Sequence, residues 1–146
     1  MYPVAVRKVA ETLGGKRALG TVPATVGDLV AAVAAGLPRA VVPELAAHAA
    51  PAGGEARKRV AALVVSPATY KRSPRLSPAA SERAERLARV TALAMQALGD
   101  TEEARHWLNS PHPMLGDKPP IAVAATDLGA RQVERILLNI EYGLPA

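Results

Sequence analysis

Apolar positions recur along most of this chain at intervals of three and four, in segments separated by glycine and proline. The clearest segment runs from Ser77-Pro78 to Leu98. Ala84, Leu87, Ala88, Thr91, Ala94, Met95 and Leu98 fall on one helical stripe, and Glu82, Arg83, Glu85, Arg86 and Arg89 lie mostly off it. Ser77 offers an N-cap with proline at the first helical position, and Gly99 stops the helix. The same device, Ser66-Pro67, starts a short helix through about Arg72. Asp100-Thr-Glu-Glu103 has the form of a capping box for a helix through Trp107-Leu108. Thr126-Asp127 caps a last helix whose apolar face is Val133, Ile136, Leu137 and Ile140.

The remaining segments are shorter. Asp28 is positioned to cap the apolar stretch Leu29–Ala35, which ends at Gly36. Leu37-Pro38 opens a helix through Ala49 that Pro43 should bend or restart. Pro51 to Gly54 is a turn, and a helix from about Glu55 to Leu63 follows, with Val60 and Leu63-Val64 as its apolar stripe. Thr12 to Gly27 carries five Gly or Pro positions and reads as loop with room for one turn of helix. Met114 to Pro119 is a loop, and Pro120 to Ala125 gives one or two helical turns. Strands find almost no support, so the predicted class is all-α.

Composition agrees with that class. Alanine fills 31 of 146 positions, Phe is absent, and the aromatics are Tyr2, Tyr70, Trp107 and Tyr142. A core of small aliphatic side chains suits close-packed helices better than sheets. The lack of cysteine excludes disulfide scaffolds, zinc–thiolate sites and thiol nucleophiles. The longest uncharged apolar run, Leu29 to Leu37, has nine residues, against the ~20 needed to span a membrane. No apolar stretch follows Arg7 and Lys8 as in a secretory signal, so a soluble cytoplasmic protein is expected. The formal charge of +5 is unevenly distributed: residues 1–76 carry +7 and residues 77–146 carry −2. Such asymmetry suits a polyanion partner for the first half, although a solvated basic face would leave the same pattern.

No constellation for catalysis emerges. His48, His106 and His112 are scattered and cannot form an H-x-x-x-H pair, so neither a metal nor another cofactor is expected. Gly14-Gly15-Lys16 lacks P-loop spacing, and neither a G-x-G-x-x-G turn nor a G-x-S-x-G elbow occurs. Glu102-Glu103 is explained by the positive end of a helix dipole. Residues Glu55 to Arg72, by contrast, have the shape of a helix-turn-helix. The first helix bears Arg57, Lys58 and Arg59, the turn is Val64–Ser66, and the second helix bears Thr69, Tyr70, Lys71 and Arg72. Ser66 and Thr69 are placed to reach a base edge or a phosphate, and Lys71 and Arg72 suit phosphates.

The second half carries a longer pattern. Leu76-Ser-Pro-Ala-Ala-Ser-Glu-Arg-Ala-Glu-Arg-Leu-Ala-Arg-Val90 is followed by Ala97-Leu-Gly-Asp100, Glu103-Ala-Arg-His-Trp-Leu-Asn-Ser-Pro-His112, Leu115-Gly116 and Pro119-Pro120. Thr126-Asp-Leu-Gly-Ala-Arg-Gln-Val133 and Ile140-Glu-Tyr-Gly143 complete it. These seventy or so residues resemble the toxin-binding domain of the Xre/MbcA/ParS family of type II antitoxins. The family pattern has L-x-R-V-x-x-L, F/L-G-D, A-x-x-W-L, L-G-G-x-x-P, G-x-x-x-V and I-x-x-G. The chain departs from it at Asp117, which replaces the second glycine of the loop, and in Ile121-Ala-Val-Ala-Ala125, where alanine replaces an apolar residue.

The resemblance implies an Xre-like helix-turn-helix domain over residues 1–76 and a small helical toxin-binding domain over 77–146, although Pro51-Ala-Gly-Gly54 interrupts the first. It implies an antitoxin, not an enzyme. The partner would be a RES-domain toxin that consumes NAD or transfers ADP-ribose. The antitoxin would cover that toxin's pocket partly with its C-terminal tail and bind operator DNA to repress its own operon. Tyr142, Gly143 and Leu144, with Pro145 and Ala146, would form the blocking end, and Arg131, Glu134, Arg135 and Asn139 an exposed face beside it. A single short helix-turn-helix binds weakly, so a homodimer on two half-sites is expected. A lone Trp107 in an aromatic-poor chain reads as core, facing the long helix with Leu108. The competing reading is a stand-alone helix-turn-helix regulator without a toxin.

Overall fold

A computed structural model describes residues 1–144 of the chain. They form ten α-helices and one short 3-10 turn, and no strand occurs among the described residues. The helices are α1 (Val6–Thr12), α2 (Gly15–Leu19), α3 (Val26–Ala35), α4 (Val41–Ala49), α5 (Ala56–Val64), α6 (Pro67–Arg72), α7 (Pro78–Leu98), α8 (Thr101–Asn109), α9 (Pro120–Val123) and α10 (Asp127–Glu141).

The organising element is α7. It starts where Ser77 Oγ accepts the amide of Ala80 at 3.1 Å and ends at left-handed Gly99. Along its length it buries Ala80, Ala84, Leu87, Ala88, Val90, Leu93 and Ala94. Alanine at so many contact positions lets neighbouring helix axes approach closely, which is how a chain without phenylalanine fills a core. Helix α7 packs against α1, α3, α4 and α5 from the first half and against α8, α9 and α10 from the second. The buried residues of both halves accordingly form one continuous cluster, from Val4 to Leu137.

The sequence pattern assigns no element before Thr12, where α1 forms, and the one turn of helix expected within Thr12–Gly27 is α2. Val9, Ala10, Thr12 and Leu13 bury one side of α1 against the core, and Gly14 and Gly15, both at positive φ, turn the chain into α2. The cap of α3 is Thr25. Asp28 acts as its reciprocal partner, its carboxylate accepting the amides of Ala24 and Thr25 at 3.0 and 3.2 Å. Those bonds hold the Asp28 carboxyl below its usual pKa.

Leu37 and Pro38 are extended rather than helical, and Arg39-Ala40 is a turn. The segment pairs with the chain before α7 through Arg39 N to Pro74 O (3.0 Å) and Leu76 N to Leu37 O (2.8 Å). The helix begins only at Val41, which puts Pro43 in the first turn, where a missing amide hydrogen costs no helical bond. Pro43 therefore does not interrupt the helix, which runs unbroken to Ala49.

Candidate functional site

The basic segment forms two consecutive helices joined by Val65 and Ser66. In α5 the residues Ala56, Val60 and Val64 face the core, leaving Lys58, Arg59 and Ala62 exposed on the opposite side. Helix α6 buries no residue at all. Lys71 and Arg72 are exposed on it, and Arg72 Nη2 donates to Thr69 Oγ1 at 3.1 Å. Ser66 Oγ accepts the Thr69 amide at 3.2 Å and bonds the Thr69 hydroxyl at 2.9 Å, so this pair closes the helix start while remaining exposed. Four cations are therefore presented to solvent: Lys58, Arg59, Lys71 and Arg72.

Arg57 and Tyr70 have structural duties. Arg57 is half-buried, and its Nε and Nη2 donate to the carbonyls of Ala50 (3.1 Å) and Ala47 (3.4 Å). Tyr70 is half-buried under Arg39, whose guanidinium lies 5.4 Å from the ring centroid and donates to the Tyr70 carbonyl at 3.1 Å.

The carbonyls that Arg57 reaches are the unpaired C-terminal groups of α4. Helix α8 serves the same helix end. Arg105 Nη2 donates to Ala47 O at 2.7 Å and its Nε to His48 O at 3.3 Å, while Asn109 Nδ2 donates to Ala49 O at 2.8 Å. Two guanidinium groups and an amide thus converge on the end of α4, one from the basic segment and two from the second half. No motif signalled this junction. The hint in the sequence is the four-residue spacing of Arg105 and Asn109 on the helix that carries Trp107-Leu108. Leu108 is fully buried as expected, whereas Trp107 is only half-buried and stands edge-on to His112, centroids 5.7 Å apart.

On α10 the inner stripe is Gly129, Ala130, Val133, Ile136 and Leu137. Leu128, Arg131, Gln132 and Arg135 are exposed on the other side, Arg131 pairing with Asp127 at 3.3 Å. Helical spacing carries this outer face on towards Asn139 and Tyr142. The Leu144 amide donates to the Asn139 carbonyl at 2.7 Å, so Gly143, at φ +65°, folds the chain back over the last turn. Tyr142 and Leu144 are largely exposed, at 70% and 57%. Pro145 and Ala146, expected to extend the blocking tail, lie outside the described residues.

Glu134 does not belong to that exposed face. It points at α7, with Arg89 Nε 2.7 Å from Oε1 in a contact poorly aligned for a hydrogen bond. Arg89 also meets Glu85 at 3.5 Å, and the Tyr2 hydroxyl donates to Glu85 at 2.5 Å. Burial is the chief reason the Glu134 carboxyl sits above the usual glutamate range, with Arg89 opposing it. Burial and the Glu85 carboxylate likewise push the Tyr2 hydroxyl up, which keeps it a proton donor.

Asp117, where the resembled pattern carries glycine, has φ +60°, and no other non-glycine residue among those described has positive φ. The pattern's glycine is thus a conformational requirement, which a short acidic side chain meets at some cost. No group of three or more His, Asp or Glu residues that could hold a metal occurs among the described residues. None of their helices is long and apolar enough to cross a membrane.

Comparison with known families returns two matches in register with this arrangement. Residues 28–89 match the antitoxin Xre-like helix-turn-helix domain, and residues 93–143 match the antitoxin Xre/MbcA/ParS C-terminal toxin-binding domain. The two meet inside α7. A curated relative, "Antitoxin Xre" of Pseudomonas putida, is 35% identical over 63 residues, 43% of this chain and 40% of the relative. The alignment thus spans about two-fifths of the length of that relative.

Proposed function

From the premise that the chain belongs to the Xre/MbcA/ParS family of antitoxins, we propose that it neutralises a cognate RES-domain toxin by covering its active site. It also binds operator DNA to autoregulate its operon. The observation that carries the reading is the succession of a helix-turn-helix domain and a toxin-binding domain in one all-α chain. In this reading residues 1–76 are the DNA-binding half and 77–146 the toxin-binding half, and the protein is a regulator of the cytoplasm rather than an enzyme.

DNA meets the exposed cations Lys58, Arg59, Lys71 and Arg72, with Ser66 and Thr69 at the start of α6 within reach of base edges or phosphates. Charge on this half supplies affinity and salt dependence. Arg57 and Tyr70 support the surface from behind. Two copies of the chain engage two half-sites, since one short helix-turn-helix gives little affinity.

The toxin meets the outer face of α10 and the end beyond it. Arg131, Arg135 and Asn139 lie on that helix, and Tyr142, Gly143 and Leu144 form a compact protrusion. An end already folded back on Asn139 loses little entropy on entering a pocket, and an exposed tyrosine supplies an amphipathic anchor. The pocket it fits would be that of an enzyme that hydrolyses NAD or transfers ADP-ribose from it.

Co-expression with a RES-domain protein encoded beside it is the decisive experiment. The expected result is a co-purifying complex and restoration of cellular NAD that collapses when the toxin is expressed alone. A stand-alone regulator would bind DNA equally well and neither retain the toxin nor protect the cells.

A further inference from the structure

Residues 1–27 lie ahead of both matched regions, and the cations assigned to DNA above all come after them. Helices α1 and α2 within this stretch carry Arg7, Lys8, Lys16 and Arg17 against one acid, Glu11. Arg7 and Lys8 both pair with that acid, at 3.9 and 3.6 Å from its carboxylate oxygens. Lys16 and Arg17 are exposed on α2. Lys16 has no charged or hydrogen-bonded partner among the described residues. Arg17 meets Glu44 of α4, yet its side chain stays 81% exposed, so most of its donors still face water. An exposed pair of this kind adds little stability, which leaves the charge on α2 without a structural reason.

The position of α2 is fixed by packing. It rests on α1 and α4. A Cβ at Gly14 would stand 2.6 Å from both Glu44 Cγ and Ala18 Cβ, so α2 meets α4 at a distance that only glycine permits. The first turn of α4 is thereby held between two neighbours. On one side Glu44 faces Arg17; on the other, Val42 and Pro43 line a hollow of about 330 Å³ with Lys58, Pro67 and Tyr70. Arg39, just ahead of that turn, ties down the end of α6 by donating to the carbonyls of Tyr70 and Lys71 at 3.1 and 3.3 Å. Lys16 and Arg17 thus lie across α4 from Lys71 and Arg72. Packed helix axes stand 8–10 Å apart, so the separation is two such spacings, about 16–20 Å. A helix seated in a major groove about 12 Å wide leaves cations at that distance over the phosphates beyond the groove edge. Flexible cations there neutralise backbone charge and read no base.

We propose that α2 is a second DNA contact, in which Lys16 and Arg17 hold the sugar–phosphate backbone beside the base pairs that α6 reads. The inference rests on the DNA-binding reading and adds to it a surface outside the helix-turn-helix. Two cations per chain extend the footprint and raise affinity equally for every sequence.

The test uses the full chain with two duplexes at several salt concentrations, one taken from upstream of its own coding sequence and one of scrambled order. Lys16→Ala combined with Arg17→Ala should weaken binding to both duplexes by the same factor, about tenfold or more, and lower the salt slope by roughly two per protomer. The preference for the first duplex should not change. Both side chains stand largely in water, so the double variant should melt as wild type does. Arg17→Lys keeps the charge and should bind as wild type. Affinity and slope equal to wild type in the double variant overturn the proposal. So does an Arg17→Lys form as weak as Arg17→Ala, because the loss would then come from the broken Glu44 pair. A double variant that binds DNA normally but no longer retains toxin assigns the surface to the toxin and overturns it too. Wild type that binds both duplexes equally, with the salt response reduced in the double variant, leaves this contact standing and removes operator recognition instead.

Discussion

Gly129 shows how much one missing side chain can decide. A Cβ built there would stand 1.9 Å from the Val123 carbonyl oxygen, so α10 can lie against the end of α9 only with glycine at this point. Gly129→Ala should cost about 2–3 kcal/mol, the penalty of forcing apart a packed contact. Denaturant unfolding of the variant checks this, and an unchanged midpoint would mean that the α9–α10 junction yields freely. Glu134 makes a different kind of prediction. An acid whose folded pKa is raised contributes stability below its unfolded value and loses it as pH climbs through the folded value. Glu134→Gln removes that loss, so its melting temperature should move in the variant's favour relative to wild type as pH rises above 4.5. A difference that is flat with pH would show that burial does not perturb this carboxyl. Gly129 lies within a run that carries the family likeness, and Glu134 directly follows that run. The likeness marked Gly129 and Val133 as fixed positions but gave no reason for either. The expected exposed face of Arg131, Glu134, Arg135 and Asn139 loses Glu134, which the position of Arg89 on α7 draws inward.

At the level of elements, periodic segments with clear caps were legible. Helices α6, α7, α8 and α10 begin within a residue of where Ser66, Ser77, Asp100 and Thr126 place them. Helix α1 is not legible because it is short, with three buried positions, and is followed almost at once by Gly14-Gly15. The start of α4 was misplaced because Leu37-Pro38 looks like a helix opening. The pairing that keeps it extended comes from Pro74 and Leu76, far along the chain. Non-local bonds of this kind leave no periodic trace. The junction of Arg57, Arg105 and Asn109 on the end of α4 rests on bonds of the same kind, and only the spacing of Arg105 and Asn109 hints at it.

Two predictions belong to elements. Replacing both Lys71 and Arg72 of α6 with alanine should lower operator affinity about tenfold or more and reduce the salt slope by roughly two per protomer, with toxin capture intact. Gel shifts at several salt concentrations measure this, and wild-type behaviour would take α6 out of the DNA contact. Deleting residues 142–146 should leave a folded, DNA-competent protein that no longer protects cells from the toxin. Full protection by the truncated chain would move the blockade to the face of Arg131 and Arg135.

For the whole molecule the relevant fact is that α7 belongs to both matched domains. Cutting the chain at residue 76 strips α1, α3, α4 and α5 from it and leaves the donors of Arg105 and Asn109 without the carbonyls of α4. Residues 77–146 expressed alone should therefore lack a cooperative thermal transition, although most of the sequence that resembles a toxin-binding domain is present. Circular dichroism melting would reveal it, and a sharp transition near that of the intact protein would show two independent units.

Such sharing of a helix has a consequence for turnover. A protease that nicks α7 would break the core common to both halves, so in the proposed reading no cleavage product would retain one binding activity without the other. Repression and toxin restraint would then lapse in the same event, and at the rate at which a single helix is opened.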